Sequence, residues 1–307
     1  MITDIDAALL EKIADLTGKP VGAFNIRKDS GCEARQSTEH IAIDPRSDGK
    51  SGIDIRIKPG TKGETVYIPA VITHGGVDDL VYNDFYIGED ADVTIVAGCG
   101  VHNCDCEDSH HNGIHRFFLA KNSKVLYLEK HYGEGDGSGK RIINPETEVF
   151  AEEGSTMEMN TVQIKGVDST VRTTKATLGS RATLIIKEKV MTHGKQHAKS
   201  DFTVDLNGAG CHTNVISRSV ARGQSHQVFM ARINGNAPCY GHSECDAIIM
   251  DQGVVSAIPE VTANCLDAQL VHEAAIGKIA GEQLTKLMTL GLTEKEAEEQ
   301  IVNGFLK

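Results

Sequence analysis

Apolar residues in the opening stretch fall at helical spacing, at Ile5, Leu9, Leu10, Ile13 and Leu16, and the run ends at Gly18, a suitable helix-terminating glycine. A short amphipathic helix is predicted there. Residues 19–50 are polar and mixed and read as loop and extended chain. From Ile53 the period drops to two, through Ile53, Ile55 and Ile57 and then Val66, Ile68 and Ala70, with Gly and Asp between the runs. After Gly277 it becomes helical again, placing Ile279, Leu284, Leu287, Met288 and Leu290 on one face before Gly291. Thr293 and Glu296 form a capping box that opens a second helix through Ala297, Ile301 and Val302 to Phe305. Two such short helices are not stable alone and must pack on the strands or on a partner. The pattern divides the chain into an N-terminal helix and extended segment (1–52), a strand region (53–276) and a helical hairpin (277–307).

Within the strand region one unit recurs: an apolar residue, a turn of small or charged residues, then an alternating strand. It begins at Ile87, Leu119, Phe150, Leu178, Leu206 and Met250, at intervals of 32, 31, 28, 28 and 44, with a half-step copy at Val220. Strand units without intervening helices fit a solenoid, in which each coil buries its apolar face against its neighbours. A β-sandwich or up-and-down barrel would also give many short strands; the recurrence favours a parallel β-helix.

Composition narrows the choice. Trp is absent, aromatics are 5% and Gly numbers 31 in 307 residues, so the core is made of thin aliphatic layers. A net charge of −12 without any Lys/Arg cluster argues against nucleic acid as the main partner. The first residues lack a basic, then apolar, leader pattern and no run is long enough to span a membrane, so a soluble cytoplasmic protein is expected. Eight cysteines in that setting read as thiols or metal ligands rather than disulfides.

Two clusters could carry chemistry. Cys99, His102, Cys104, Cys106, His110, His111 and His115 lie within seventeen residues, a density of soft and borderline ligands suited to zinc or iron, although no zinc-finger spacing is matched and polar packing would use the same residues. The second joins residues 241–251 to 267–284. By strand parity Cys245 shares a face with Ala247 and Ile249, and His272 with Ala268 and Leu270, so both point toward apolar surroundings. Their separation of 27 is close to one repeat, which would stack thiol over imidazole. Glu273 has the opposite parity and joins them only at a bulge or strand end. Core packing alone would also account for Cys245 and His272. Cys211, Cys239 and Cys265, at intervals of 28 and 26, read as small stacked core residues. His193 and His197 fall in strand and turn, which disfavours a helical metal pair. Residues 133–139, GEGDGSG, read as a flexible excursion, and no Walker A motif is present, so the chain is not expected to hydrolyse ATP.

The stretches GHSECDAIIMD, HEAAIGKI and GEQLTKLMTLGLTEKEAEEQIVNGFLK resemble the C-terminal core of the SufB and SufD proteins of iron-sulfur cluster assembly. The resemblance covers most of residues 60–307 and is most specific over the last seventy. It implies a right-handed parallel β-helix whose C-terminal helices bind SufC, an ABC-class ATPase, and which pairs with a second core subunit where nascent clusters form. Carried over residue by residue, the family's functional cysteine falls on Cys245 and its His-Glu pair on His272 and Glu273. The ATPase-docking face falls on Ile279, Leu284, Leu287, Met288, Leu290, Ile301 and Phe305. The resemblance implies a scaffold rather than an enzyme, holding a transient iron-sulfur cluster, served by a sulfur donor and discharging to recipient apoproteins; it also allows a flavin. The long N-terminal region of typical members, with its cysteine-rich motif, has no counterpart, which puts the usual sulfur delivery in doubt. Features of both paralogues are present, so a homodimer with two ATPase subunits is expected, a SufB/SufD paralogue being the other pairing. Two rival readings are a metal-dependent enzyme with zinc or iron in the 99–115 segment, and a ligand-free structural adaptor of an ATPase.

Overall fold

The computed structural model describes residues 2–307. In chain order the elements begin with α1 (Asp4–Ala14), β1 (Ala23–Lys28), β2 (Gly31–Gln36), β3 (Ile41–Pro45), β4 (Gly52–Ile57), β5 (Lys62–Ile72), β6 (Asp78–Ile87) and β7 (Asp92–His102). They continue with β8 (Ser109–Leu119), β9 (Lys124–Glu134), β10 (Arg141–Ile143), β11 (Glu146–Ala151), β12 (Thr156–Lys165), β13 (Ser169–Leu178) and β14 (Thr183–Thr192). The last are β15 (His197–Leu206), β16 (His212–Ala221), β17 (His226–Gly235), β18 (Cys239–Ile249), β19 (Val254–Ala263), β20 (Ala268–Gly277), α2 (Gly281–Thr289) and α3 (Glu294–Phe305).

From β4 onward successive strands alternate between two parallel sheets, ordered β5-β7-β9-β12-β14-β16-β18-β20 and β4-β6-β8-β10-β13-β15-β17-β19, with β11 continuing the strand begun by β10. The result is a flattened β-solenoid of about eight turns. Strand neighbours in space are 27 to 32 residues apart in sequence, matching the spacing of the first five repeat starts.

The repeat has a conformational cause. Asp90, Asn122, Gly154, Arg181 and Gly210 occupy the same left-handed turn position, with φ of 55°, 56°, 69°, 55° and 72°. Each is followed by a small residue, Ala91, Ser123, Ser155, Ala182 or Cys211, that is at most 1% exposed. Its amide closes the turn on the carbonyl three residues back. Asp and Asn tolerate this conformation best after Gly. The starts at Val220 and Met250 belong to the opposite edge, where Gly223 and Asp251 take the left-handed position, and the interval of 44 is therefore one and a half coils. The missing copy on the first edge begins at Gly235 and carries no apolar marker.

Strands begin earlier than expected. Residues 23–45, read as loop and extended chain, form β1, β2 and β3, with β1–β2 and β3–β4 antiparallel. These short antiparallel strands close the first coil, a common way of blunting a sheet edge. The last coil has no such cover: β19 and β20 leave Ile258, Val261, Val271 and Ile276 exposed.

Helix α1 is capped by Thr3 and Asp6, and Asp15, with φ 54°, takes the left-handed terminating position expected of Gly18. Leu9, Leu10 and Ile13 pack on Phe24, Ile26 and Val71 outside the solenoid. The approach is so close that a Cβ at Gly98 would lie 2.6 Å from the Ile13 carbonyl oxygen. The segment read as a flexible excursion is instead laid against the 103–107 loop: Gly137 and Gly139 donate amide hydrogen bonds to the carbonyls of Asn103 and Asp105. A Cβ at Gly137 would stand 2.3 Å from the Asp105 carbonyl oxygen, so its glycine serves backbone-to-backbone stacking. At the other end α3 carries the predicted capping box of Thr293 and Glu296, and Val302 and Leu306 pack on Val220 and Met250 with Ile279 and Phe305 alongside. Among the described residues no helix is long and apolar enough to cross a membrane.

Candidate functional site

Register fixes the inner face of the later coils. One column runs Val66, Ile95, Tyr127, Met159, Ile186, Val215 and then Ser243 and His272. It is aliphatic and aromatic until the last two coils, where it turns polar. The adjacent column runs Ile68, Ala97, Glu129, Thr161, Glu188, Ser217, Cys245 and Ala274. Both contain ionisable side chains at positions whose parity is that of the core.

Cys245, 1% exposed, stands beside Ser217, and the Ser217 hydroxyl donates to Glu188 Oε2 over 2.8 Å. Its surroundings are thus more polar than the sequence pattern implied. Burial pushes the Cys245 thiol up to about 12, reinforced by the Glu188 and Asp246 carboxylates. A protonated thiol results, and any metal bound there must displace that proton. His272 shares a 2.8 Å hydrogen bond between its Nδ1 and Ser243 Oγ. Burial, and after it His242, lowers its pKa, which leaves a neutral imidazole, the form that ligates metals.

Cys245 and His272 share the inner face, but they are not stacked one above the other. The step from β18 to β20 is 29 residues rather than 27, so Ser243 lies opposite His272 and Cys245 opposite Ala274. Thiol and imidazole are diagonal rather than direct neighbours. The β18–β20 register is regular, without the bulge that could have turned Glu273 inward. Glu273 therefore sits on the outer face opposite Glu244, its Oε2 3.5 Å from His242 Nε2.

The 99–115 segment is divided by the same alternation. Cys99 on β7 and His111 and His115 on β8 face the interior. His102 and His110 are half-buried on the other side, and Cys104 and Cys106 are exposed in the loop between the strands, Cys104 Sγ 3.1 Å from His102 Nε2. The seven residues do not form a single ligand set.

The inward three belong to a buried network that sequence reading missed. His111 Nδ1 is 3.0 Å from Asp79 Oδ2, and Arg27 grips the same carboxylate through Nε at 2.8 Å and through its Nη2. His115 lies between Asn83 and the Tyr127 hydroxyl, and Tyr127 donates to Glu129 over 2.9 Å. Arg172 donates to Glu129 over 2.6 Å and lies 3.6 Å from Glu188, which also accepts from Ser200. Against these groups is an internal cavity of about 20 Å³, lined by Asn25, Cys99, His111 and Glu129 among others, large enough for one water.

Electrostatics single out Cys99. Burial raises its pKa, but the charge on His111 and hydrogen bonding to His111 and His131 outweigh that and bring it down to about 7. Burial likewise opposes ionisation of His111, yet the Cys99 thiolate and Asp79 raise it to about 10. His115 goes the other way, to about 4, because burial dominates. The direction of both shifts favours a thiolate–imidazolium pair, shut off from solvent by the surrounding coils. The ultraviolet difference absorbance of the Cys99 thiolate, wild type minus Cys99→Ser, is expected to rise with pH through a midpoint near 7. In His111→Ala burial is less opposed and the midpoint should move up; an unchanged midpoint would assign the effect elsewhere. The signal in the sequence was present in VLYLEKHYGE, where Glu129 and His131 occupy the parity of Val125 and Tyr127.

A parallel two-sheet solenoid with a buried thiol and a half-buried imidazole near its last coil, followed by two amphipathic helices, defines the class of protein as a helix-capped β-solenoid. Comparison with known proteins supplies the family. Residues 82–305 match the family described as SUF system FeS cluster assembly, SufBD core domain. The chain is 30% identical over 259 residues to an iron-sulfur cluster assembly SufBD family protein of Archaeoglobus fulgidus, covering 84% of this chain and 68% of that protein. It is 29% identical over 285 residues to one from Methanocaldococcus jannaschii, covering 92% and 89%. A third, from Methanothermobacter thermautotrophicus, is 27% identical over 261 residues, covering 83% and 62%. The chain belongs to the SufB/SufD family and so to iron-sulfur cluster assembly.

Proposed function

We propose that the chain is a scaffold subunit on which nascent iron-sulfur clusters are built, working with a SufC-type ATPase docked on α2 and α3. The observation that carries this reading is the pair Cys245 and His272 on the inner face of the last two coils, at the end of the solenoid formed by the long edge strands β19 and β20. Thiolate and neutral imidazole are the ligand types that hold iron-sulfur units. The ten-residue edges of β19 and β20, with Ile258, Val261, Val271 and Ile276 exposed, fit a second copy of the chain. Such a homodimer brings two Cys245/His272 pairs toward one interface, where the cluster is cargo rather than a resident group. Sulfur donor and recipient proteins would meet the cluster at that interface.

Anaerobic reconstitution with iron and sulfide tests the site. Wild type is expected to develop the absorption of an iron-sulfur cluster, and Cys245→Ala and His272→Ala to lose it while keeping the wild-type unfolding midpoint. Retention of the full iron load by both variants would move the site to Cys99 and its neighbours.

A further inference from the structure

We infer that the outer face of the last two coils carries a second, separate site for a divalent first-row cation, built from His242, Glu244 and Glu273. Their ligand atoms, one from each, all lie within 4.8 Å of one another. In-register pairing sets Glu244 beside Glu273 on neighbouring strands, a like-charge arrangement that is unfavourable on its own. Among the described residues no Lys or Arg nitrogen lies within ion-pair distance of either carboxylate; Arg218, on β16 opposite Asp246, acts on Glu244 through its charge alone.

The histidine is oriented for the task. Its Nδ1 lies 2.9 Å from the amide oxygen of Asn214 on β16, so Nδ1–H donates and the lone pair of Nε2 is directed outward. There Nε2 meets Glu273 Oε2 at 3.5 Å. Lone pairs of one imidazole and two carboxylates thus converge, with the Asp246 carboxyl hydrogen-bonded to Glu244 from the same strand, and a cation satisfies all three ligand atoms. Fixing a ligating histidine through its other nitrogen is the usual outer support of a metal centre. One nitrogen and two oxygens suit Fe²⁺, Mn²⁺, Co²⁺ or Zn²⁺ better than a soft ion, which would choose the thiol. Cys245, adjacent to Glu244 in sequence, points through the sheet to the other side, so the two sites are distinct although one residue apart.

This site stands without the scaffold reading, which only identifies iron as the ion offered to it. Glu273 then acts on the outer face, as a ligand for incoming Fe²⁺, rather than beside Cys245 and His272.

Titration of the metal-free full chain with Co²⁺ under anaerobic conditions tests it. We expect a single ion per chain with weak ligand-field bands and no sulfur-to-cobalt charge-transfer band. Glu244→Gln, which keeps the shape, and His242→Ala should each weaken binding about tenfold or more, and Asn214→Ala by roughly 10–100-fold through loss of orientation. Cys245→Ala should bind as wild type. Wild-type affinity in both Glu244→Gln and His242→Ala would overturn the inference, as would a charge-transfer band that disappears in Cys245→Ala. Iron-sulfide reconstitution reads the inner site independently, so loss of one reading leaves the other measurable.

Discussion

Arg172→Leu is expected to cost the fold about 3–5 kcal/mol, the penalty of removing one partner from a buried ionic group. The Arg172 side chain is 6% exposed and serves two carboxylates that are 2% and 3% exposed, Glu129 and Glu188. Leucine fills the space but leaves Glu129 with His131 at 3.4 Å and Tyr127, and Glu188 with two serine hydroxyls. In wild type, burial alone would raise Glu129, but Arg172 and then His131 hold it well below the ordinary carboxylate range. Its contribution is therefore present above the unfolded value of about 4.5 and is lost as pH falls below it toward the folded value. In the variant, burial without the guanidinium raises the carboxyl pKa above the unfolded one, so protonation relieves the defect. The gap between wild type and variant should narrow on acidification. Urea unfolding followed by circular dichroism at neutral and mildly acidic pH measures both effects; a gap under about 1 kcal/mol at neutral pH would mean that water has replaced the arginine.

The second large effect is expected in the tail. Helix α3 is anchored through Val302 and Leu306, whereas α2 buries no residue. The apolar face predicted from spacing is split: Leu284 lies in a groove with Met250 and Glu298, while Met288 and Leu290 are 45% and 75% exposed. If α2 is the docking element for the SufC-type ATPase, Met288→Asp with Leu290→Asp should abolish co-purification. Two centrally buried side chains at about 2 kcal/mol each amount to nearly a thousandfold in affinity. The solenoid should unfold as wild type, because neither residue contributes to its core. Undiminished capture of the ATPase by the double variant would exclude α2 as the contact.

The solenoid was legible because two periodicities coincide. Alternation along each strand identified the inward set, and the small residue after each left-handed turn repeated once per coil, so Ala91, Ser123 and Ser155 marked coil after coil. It failed at Gly235, where the marker is absent, and over residues 23–45, where short strands with mixed polarity pair antiparallel and leave no repeat. The site was only half legible. Parity placed Cys245 and His272 on one face and Glu273 on the other, as found. Stacking could not be predicted, because coil length varies by a few residues and a two-residue change moves His272 from Cys245 to Ser243. The buried network of Asp79, Arg27, Cys99, His111, Glu129 and Arg172 was missed for a different reason: its members come from β1, β6, β7, β8, β9 and β13, and no local motif connects them. Only an ionisable side chain at core parity announces such a group, and that signal says nothing of its partner.

The unequal ends of the stack have a consequence for assembly size. Backbone groups along the ten-residue edges of β19 and β20 can nucleate pairing, whereas the opposite end finishes on the shorter edge strands β2 and β3, of six and five residues. Short edges reached through antiparallel pairing interrupt the parallel register of the coils, so they offer the long edges of another copy a poor template and end-to-end stacking by continued parallel pairing is disfavoured. The antiparallel strands that the polar N-terminal segment concealed thus work against end-to-end growth of a stack of parallel strands, otherwise a template for fibres.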